Sequence, residues 1–161
     1  MVELNNLGYS YQYGLGKRKD EFKAFEFYLK SSEGGNASAQ NNLGYCYHNG
    51  VGVKKDENKA YEYYLKAANN GDLYAQYNLG NCYQNGIGIN KDDKKAFEWH
   101  LKSAEGEYSS AQNRVGNHYQ NGVGISKKNE NKAFVWYIKA AKGGNSDAEY
   151  NLSNCYINGL E

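Results

Sequence analysis

The chain has 161 residues, and its 19 lysines and arginines are almost balanced by 18 aspartates and glutamates, which leaves a formal net charge of +1. This balance disfavours a dedicated nucleic-acid binder, which needs a basic face to neutralise phosphates. No apolar run reaches the roughly 18–20 residues needed to cross a bilayer, so we expect no membrane insertion. The 19 glycines without a single proline indicate that glycine occupies fixed structural positions rather than flexible linkers.

A Leu-Gly pair recurs along the chain every 36 residues, with 37 residues before the last copy. The copies, in which Val and Ser each replace one member once, are Leu7-Gly8, Leu43-Gly44, Leu79-Gly80, Val115-Gly116 and Leu152-Ser153. A fixed period of this length is typical of repeat proteins. We therefore predict a single repeat domain over 1–161, with repeats at about 1–36, 37–72, 73–108 and 109–145 and a half repeat at 146–159.

Each repeat is predicted to contain two helices, named A and B in chain order. In the second repeat, Leu43 lies on the apolar face of helix A together with residues one turn before and after it. Asn49-Gly50 is typical of a helix C-terminus, because both residues tolerate the left-handed conformation. Asp56 has the profile of the N-cap of helix B, which Gly71 ends. Neither helix could bury its apolar face alone, so the repeats must stack into a continuous core.

The recurring positions together form a recognisable pattern. In the second repeat the pattern is Ala39-Gln40, Leu43-Gly44, Tyr47, Gly50-Val51-Gly52-Val53, Asp56, Lys59-Ala60, Tyr64, Lys66-Ala67-Ala68 and Gly71. It resembles the Sel-one-like repeat (SLR) family, a branch of the tetratricopeptide-type α/α solenoids, over essentially the whole chain. The resemblance implies an all-α fold: a right-handed α/α superhelical solenoid of antiparallel helix pairs, with about four and a half repeats of 36 residues.

Some positions depart from the family pattern. Glu107 stands where helix B should end in glycine, Arg114 replaces a recurring asparagine, and His100 replaces a recurring tyrosine. The fourth repeat also holds one extra residue within 126–131. Related sequences carry a cysteine pair at the positions of Ala68 and Gln76, and its absence here disfavours the disulfide-stapled, secreted branch of the family.

The chain contains only three cysteines. Because they are widely spaced, they are expected to be free, buried thiols in a reducing compartment, so we expect a cytoplasmic location.

The ends of the chain look truncated. The chain starts inside a helix A and stops after the fifth helix A. We interpret it as a fragment of a longer protein, with Leu160-Glu161 as a cloning scar.

The resemblance places the A helices on a concave wall, where three columns of side chains can be read from the repeat. These columns, two before and two and five after the recurring Leu, hold no charged residue, and the A segments contain only 4 of the 37 charged residues. We predict that the columns bind an extended, largely uncharged peptide or protein segment through amide hydrogen bonds and tyrosine packing. The predicted ligand-binding residues are Asn41, Tyr45, His48, Tyr77, Asn81, Gln84, Asn113, Asn117 and Gln120.

Other functions remain open at this point. The columns could simply be solvated helix faces of an asparagine-rich chain. The protein could instead be a regulatory or oligomerisation module of a larger signalling protein, for example one associated with a kinase, that self-associates through its terminal helices. A carbohydrate or single-stranded RNA reader is a third class, since tyrosine stacking and amide hydrogen bonds suit both ligands. The resemblance implies a non-catalytic adaptor, and we expect no cofactor.

Two further site hypotheses are disfavoured. The residues Cys46, Cys82, His118 and Cys155 occupy one repeat column, but helix axes about 8–10 Å apart keep them from converging on zinc, whose ligands lie at about 2.0–2.3 Å. We therefore expect no metal site.

Basic clusters mark the corners between helices; they are Lys17-Arg18-Lys19, Lys54-Lys55, Lys91 and Lys127-Lys128. Acidic residues follow most of them, which favours a solvated mixed-charge edge over a site for an acidic partner or anionic membrane.

Overall fold

The computed structural model describes residues 1–157 and Gly159, so the two residues interpreted as a cloning scar lie outside the described part. Within that part the chain forms nine α-helices and no strand, a repeat helical solenoid of about four and a half repeats, which confirms the predicted all-α repeat fold. The helices are α1 (Val2–Tyr13), α2 (Glu21–Glu33), α3 (Ala37–Asn49), α4 (Glu57–Asn69), α5 (Leu73–Asn85), α6 (Asp93–Glu105), α7 (Ser109–Asn121), α8 (Glu130–Lys142) and α9 (Ser146–Ile157).

Odd-numbered helices are the A helices and even-numbered helices are the B helices. The chain divides into two compact units, the first comprising Met1–Leu79 with Ile87–Asn90 and the second Gly80–Gly86 with Lys91–Glu161. The division falls within α5: the first unit contains the pairs α1–α2 and α3–α4, and the second contains the pair α7–α8 together with α6 and α9. Across the described residues, no helix has both the length and the apolar character that a membrane span requires.

Capping side chains begin each B helix where the sequence predicts it. The Asp56 carboxylate accepts a hydrogen bond of 3.0 Å from the backbone N–H of Lys59, which confirms Asp56 as an N-cap. Asp20, Asp92 and Asn129 bind the corresponding N–H groups in the other repeats. The loop before α8 covers residues 122–129, one residue more than the loop 50–56, so the extra residue is accommodated outside the helices.

Each helix pair is held at close approach by a glycine of helix A lying against an aromatic ring of helix B. A Cβ atom added to Gly44 would lie 2.6 Å from Cδ1 of Tyr64, well inside van der Waals contact. The same arrangement joins Gly8 to Tyr28, Gly80 to His100 and Gly116 to Tyr137. The aromatic rings are buried, together with small side chains such as Ala24 and Cys46 in the first unit. The recurring Leu-Gly pair is therefore a packing requirement, as its spacing indicated.

The B helices end with a residue in the left-handed region two positions beyond the helix. Gly71 has a φ of 83° after α4, and Gly35 and Gly144 adopt the same conformation after α2 and α8. Glu107 takes this position after α6 with a φ of 68°, and it is the one non-glycine residue of the described part with positive φ. A side chain in this region costs about 1–2 kcal/mol relative to the right-handed region.

Replacing Gly44 by Ala is expected to destabilise the protein, although Ala favours a helix over Gly by about 1 kcal/mol. The added methyl group must displace the buried ring of Tyr64, and overpacking of this kind costs about 1–3 kcal/mol. Urea denaturation should show a lower midpoint for Gly44→Ala. Ser153→Ala, at the equivalent but exposed position of α9, is the control and should leave the midpoint unchanged. Equal midpoints for the two variants would contradict the packing requirement.

Replacing Glu107 by Gly is expected to raise the free energy of unfolding by about 0.5–1 kcal/mol, because glycine adopts the left-handed conformation without a Cβ clash. The reverse change in the second repeat, Gly71→Glu, should lower it by a similar amount. Thermal denaturation followed by circular dichroism measures both, and a loss of stability in Glu107→Gly would show that the Glu107 side chain makes a compensating contribution.

Candidate interaction surface

The predicted ligand-binding residues lie on α3, α5 and α7 and are divided between the two units. Asn41, Tyr45, His48 and Tyr77 belong to the first unit, and Asn81, Gln84, Asn113, Asn117 and Gln120 belong to the second. Tyr45 is exposed, Asn113 is buried, and the remaining seven are half-buried. All nine residues therefore lie on A helices, but they differ widely in accessibility.

Asparagine side chains link successive A helices. In the first unit the Asn42 amide donates to Oδ1 of Asn5 at 2.9 Å, and the Asn78 amide donates to Oδ1 of Asn41 at 3.0 Å. In the second unit Asn151 donates to Oδ1 of Asn113 at 2.9 Å. The side-chain oxygens of Asn41 and Asn113 are the acceptors of two of these bonds, so these two predicted ligand-binding residues also have a structural role.

These bonds between asparagines of successive A helices form an asparagine ladder. The sequence contains a signature of this ladder that single columns do not show. The donor and acceptor asparagines are 37 or 38 residues apart. Where Arg114 replaces the recurring donor asparagine, Tyr77 replaces the acceptor 37 residues earlier. The simultaneous loss of both amides indicates that the two columns work as pairs.

Buried tyrosines of the B helices also use amides of the A helices. The hydroxyl of Tyr28 donates to Oε1 of Gln12 at 2.7 Å. The hydroxyl of Tyr137 lies 2.6 Å from Oε1 of Gln120 and 2.8 Å from Oδ1 of Asn117, and its single proton serves one of them at a time. Burial raises the pKa of both tyrosine hydroxyls, so they remain protonated donors. Asn117 and Gln120 therefore face the interior with one end and solvent with the other.

The third repeat replaces the tyrosine by a buried pair of histidines. His100 and His118 are 0% and 2% exposed, and Nδ1 of His100 lies 3.0 Å from Nε2 of His118. Nδ1 of His118 lies 2.8 Å from the carbonyl oxygen of Val123, which can only accept, so this nitrogen carries a proton. In the neutral pair, Nε2 of His118 then accepts from Nδ1 of His100.

The Asn81 side chain completes this chain of hydrogen bonds, because its Oδ1 lies 3.2 Å from Nε2 of His100. In the neutral pair that nitrogen is an acceptor, so the Asn81 amide must turn its NH₂ group towards it, whereas in the pair with one added proton the nitrogen donates to Oδ1 of Asn81. A second added proton would place two N–H donors face to face. Asn81, predicted as a ligand-binding residue, is thus tied to the core of the third repeat.

Burial lowers the pKa of His118 below its ordinary value of 6.5, a shift that Arg114 reinforces and that the Val123 carbonyl and Asp93 oppose. A depressed histidine pKa means that the unfolded chain binds more protons than the folded one between the two pKa values. Stability is therefore complete above about pH 6.5 and falls as the pH drops towards the folded pKa.

We expect the free energy of unfolding to fall between pH 7.5 and pH 5.5, by no more than about 1.4 kcal/mol for a single histidine with this unfolded pKa. The double variant His100→Tyr/His118→Cys, which restores the residue types of the second repeat, should lose most of this dependence. Urea denaturation at several pH values measures both proteins. Parallel pH profiles would show that the pair does not control acid stability.

Three exposed tyrosines form an aromatic cluster in the first unit. Tyr9, Tyr13 and Tyr45 are 49%, 53% and 40% exposed, and the ring centres of Tyr9 and Tyr13 are 4.5 Å apart. Tyr45 occupies the same repeat column as Tyr9 on the next A helix, α3. Partial burial raises the pKa of Tyr13, and the electrostatic influence of Tyr45 and Tyr9 raises it further. Tyr13 is not among the predicted ligand-binding residues. The sequence nevertheless marks it, because an aromatic side chain stands where other repeats have the helix-ending residues Asn49, Asn85 and Asn121.

The corner charges pair locally. Lys19 contacts Glu21 at 2.7 Å, Lys55 contacts Glu57 at 2.8 Å, and Lys128 and Glu130 form the same pair in the fourth repeat. The recurring lysine of the B helices lies over a tyrosine ring, as Lys59 does at 5.2 Å from the centre of Tyr47. In the first and third repeats it also pairs with the N-cap carboxylate, as Lys23 does with Asp20 at 3.6 Å. These contacts support the interpretation of the corners as a solvated mixed-charge edge.

The cysteines Cys46, Cys82 and Cys155 are buried and free. Burial raises the pKa of the Cys46 thiol to about 12, so its reactive thiolate is scarce at neutral pH. The part of the chain that the structure describes contains no group of three or more His, Cys, Asp or Glu side chains able to hold a metal ion.

Paired helices, a glycine-to-ring contact in each repeat and a neutral A-helix surface define a helical repeat protein. The chain belongs to the Sel1 repeat family, whose model matches residues 4–36, 37–72, 73–108, 109–145 and 146–161. Proteins with Sel1 repeats are generally non-catalytic scaffolds for protein interactions. Comparison with curated protein sequences gives no match.

Solved structures share the fold. A Sel1 repeat protein from Oxalobacter formigenes is 34% identical, with a TM-score of 0.93, over 99% of this chain and 65% of its own. A protective antigen of uropathogenic Escherichia coli strains with an SLR fold is 27% identical, with a TM-score of 0.74, over 98% and 41% of the two chains. This chain thus spans less than two thirds of either protein.

Cysteine rich protein B of Helicobacter pylori is also 27% identical, with a TM-score of 0.63, over 81% of this chain and 92% of its own. The positions at which the family resemblance implies a cysteine pair are held by Ala68 and Gln76 here. Nε2 of Gln76 donates to the carbonyl oxygen of Ala68 at 3.4 Å, so a hydrogen bond joins the same two positions.

Proposed function

We propose that this protein is a non-catalytic scaffold that binds a peptide or protein segment on the neutral surface of its A helices. The segregation of charge carries the proposal. The described A helices contain Glu3, Arg114, Asp147 and Glu149 as their charged residues, whereas 32 of the 37 charges belong to B helices and corners. A surface with a single arginine offers no clamp for phosphate, and a surface without acidic rows does not attract a basic peptide.

The chemistry of this surface suits a polypeptide. Asparagine and glutamine amides can both donate to and accept from a peptide backbone, and a tyrosine ring packs against apolar side chains while its hydroxyl stays hydrated. Because tyrosine has few rotatable bonds, ordering it on binding costs little conformational entropy.

Accessibility supports a main contact area in the first unit. The aromatic cluster Tyr9, Tyr13 and Tyr45 is exposed, whereas Asn81 and Asn117 in the second unit are engaged with His100 and Tyr137. Substituting the two asparagines would therefore disturb the core as well as the surface. Substituting the exposed tyrosines separates binding from stability.

The test begins with affinity capture of partners from the source cell, followed by affinity measurements on a purified partner. Tyr9→Ala/Tyr45→Ala is expected to weaken binding by at least about tenfold, since aromatic anchors dominate interfaces. Tyr150→Ala, which removes a 69% exposed tyrosine from another A helix, is the matched control and should bind normally. The melting temperatures of both variants should stay within a few degrees of the parent.

Binding should also depend only weakly on salt, because an uncharged surface releases few counterions. A steep loss of affinity between low and high salt would assign the partner to the basic corners. Unchanged affinity of Tyr9→Ala/Tyr45→Ala would exclude the tyrosine surface.

Self-association is a second candidate, favoured by exposed apolar residues on the terminal helices. Tyr156 and Ile157 on α9 are 56% and 81% exposed, and Val2 on α1 is 62% exposed. Sedimentation velocity over a hundredfold concentration range separates the candidates. A concentration-dependent shift that Ile157→Lys abolishes would support oligomerisation, and a constant monomeric value would exclude it.

A further inference from the structure

We infer that the aromatic cluster Tyr9, Tyr13 and Tyr45 recognises a proline-rich segment in the polyproline II conformation. This inference rests on the proposed function and names the class of peptide that the surface takes. It follows from two properties of the first unit: Asn5, Asn41 and Tyr13 keep hydrogen-bond donors for a ligand, and exposed tyrosine rings lie beside these donors.

The asparagine ladder engages the side-chain oxygens beside the cluster and leaves the NH₂ groups of the same side chains. Oδ1 of Asn5 accepts from Asn42, and Oδ1 of Asn41 accepts from Asn78. Asn5 lies one turn before Tyr9 on α1, and Asn41 lies one turn before Tyr45 on α3. Within the described residues, the NH₂ groups of Asn5 and Asn41 make no hydrogen bond to the protein. Their remaining donors are thus available on the same faces as the rings.

A second chain of hydrogen bonds gives Tyr13 the same polarity. The buried hydroxyl of Tyr28 donates to Oε1 of Gln12 at 2.7 Å, and Nε2 of Gln12 lies 3.4 Å from the hydroxyl oxygen of Tyr13, to which it donates. The Tyr13 oxygen is therefore an acceptor within the protein, and its own proton is directed to a ligand or to water. The interior of the first repeat thereby orients a surface hydroxyl as a donor.

A polyproline II segment is the complementary ligand. Its backbone carbonyls make no internal hydrogen bonds and project outward as acceptors, and proline has no backbone N–H that would need an acceptor. Its pyrrolidine rings are apolar and pack on aromatic side chains, and its pre-set conformation loses little entropy on binding.

The dimensions and charge of the cluster agree with this ligand. From Asn5 to Tyr13 the row covers eight helical steps, about 12 Å, which corresponds to about four residues of polyproline II at about 3.1 Å each. Lys19 is close enough to Tyr45 to interact with it electrostatically, but Lys19 is paired with Glu21 at 2.7 Å. The cluster therefore favours a neutral segment.

The experiment compares fluorescein-labelled decaproline with a neutral, proline-free decapeptide of alanine and glutamine, using fluorescence anisotropy and the whole chain. Decaproline is expected to bind at least about tenfold more tightly. Tyr9→Ala/Tyr45→Ala should abolish this preference, and Tyr150→Ala should retain it. Tyr13→Phe keeps the ring and removes the donated proton, so it should weaken decaproline binding by about threefold to tenfold, the worth of one hydrogen bond.

Three results would overturn the inference. Equal affinity for both decapeptides would show that the surface takes any neutral peptide, which leaves the proposed scaffold function intact. If unlabelled maltohexaose displaces both decapeptides, the cluster is a carbohydrate site, and the proposed scaffold function is contradicted as well. If decaproline does not bind at millimolar concentration while a captured partner binds through Tyr9 and Tyr45, the scaffold stands and the proline-rich ligand is wrong.

Discussion

The structure depends on the approach of two helices to within the distance that only a glycine allows. At Gly44 the ring of Tyr64 occupies the space that any other side chain would fill, and the same contact recurs in each complete repeat. Because the ring is buried between helices, its polar end must find a partner there. The amides of helix A provide that partner in the first and fourth repeats, so packing in the core determines the state of side chains on the surface.

This coupling explains why a neutral, amide-rich surface is not a uniform one. Gln12 and Gln120 each face a buried tyrosine hydroxyl, and Asn5, Asn41 and Asn113 each accept from the next A helix. What remains for a ligand is the outward end of these groups, together with exposed rings. The first unit keeps three such rings close together, which is why accessibility concentrates there.

The third repeat shows how such a network tolerates substitution. A lone histidine in place of the recurring tyrosine would leave a buried ring nitrogen without a partner, which is costly. His118 replaces the recurring cysteine on the facing helix and supplies that partner, while the Val123 carbonyl fixes its tautomer. The two departures from the repeat are therefore one coupled change, and its consequence is sensitivity to acid.

The sequence by itself determined the repeat length, the helix pairs, their caps and the glycine contact, because each rests on local chemistry at a fixed period. Asp56 and Gly50 needed no tertiary information, and the Sel1 pattern is visible in the second repeat alone. The sequence also showed that only four charged residues lie on the A helices. Only the tertiary structure decided which members of the neutral columns remain accessible. Asn117 and Tyr45 occupy the same column, yet Asn117 hydrogen-bonds the buried hydroxyl of Tyr137 and Tyr45 is exposed, and the column does not show this because Tyr137 lies on another helix, α8.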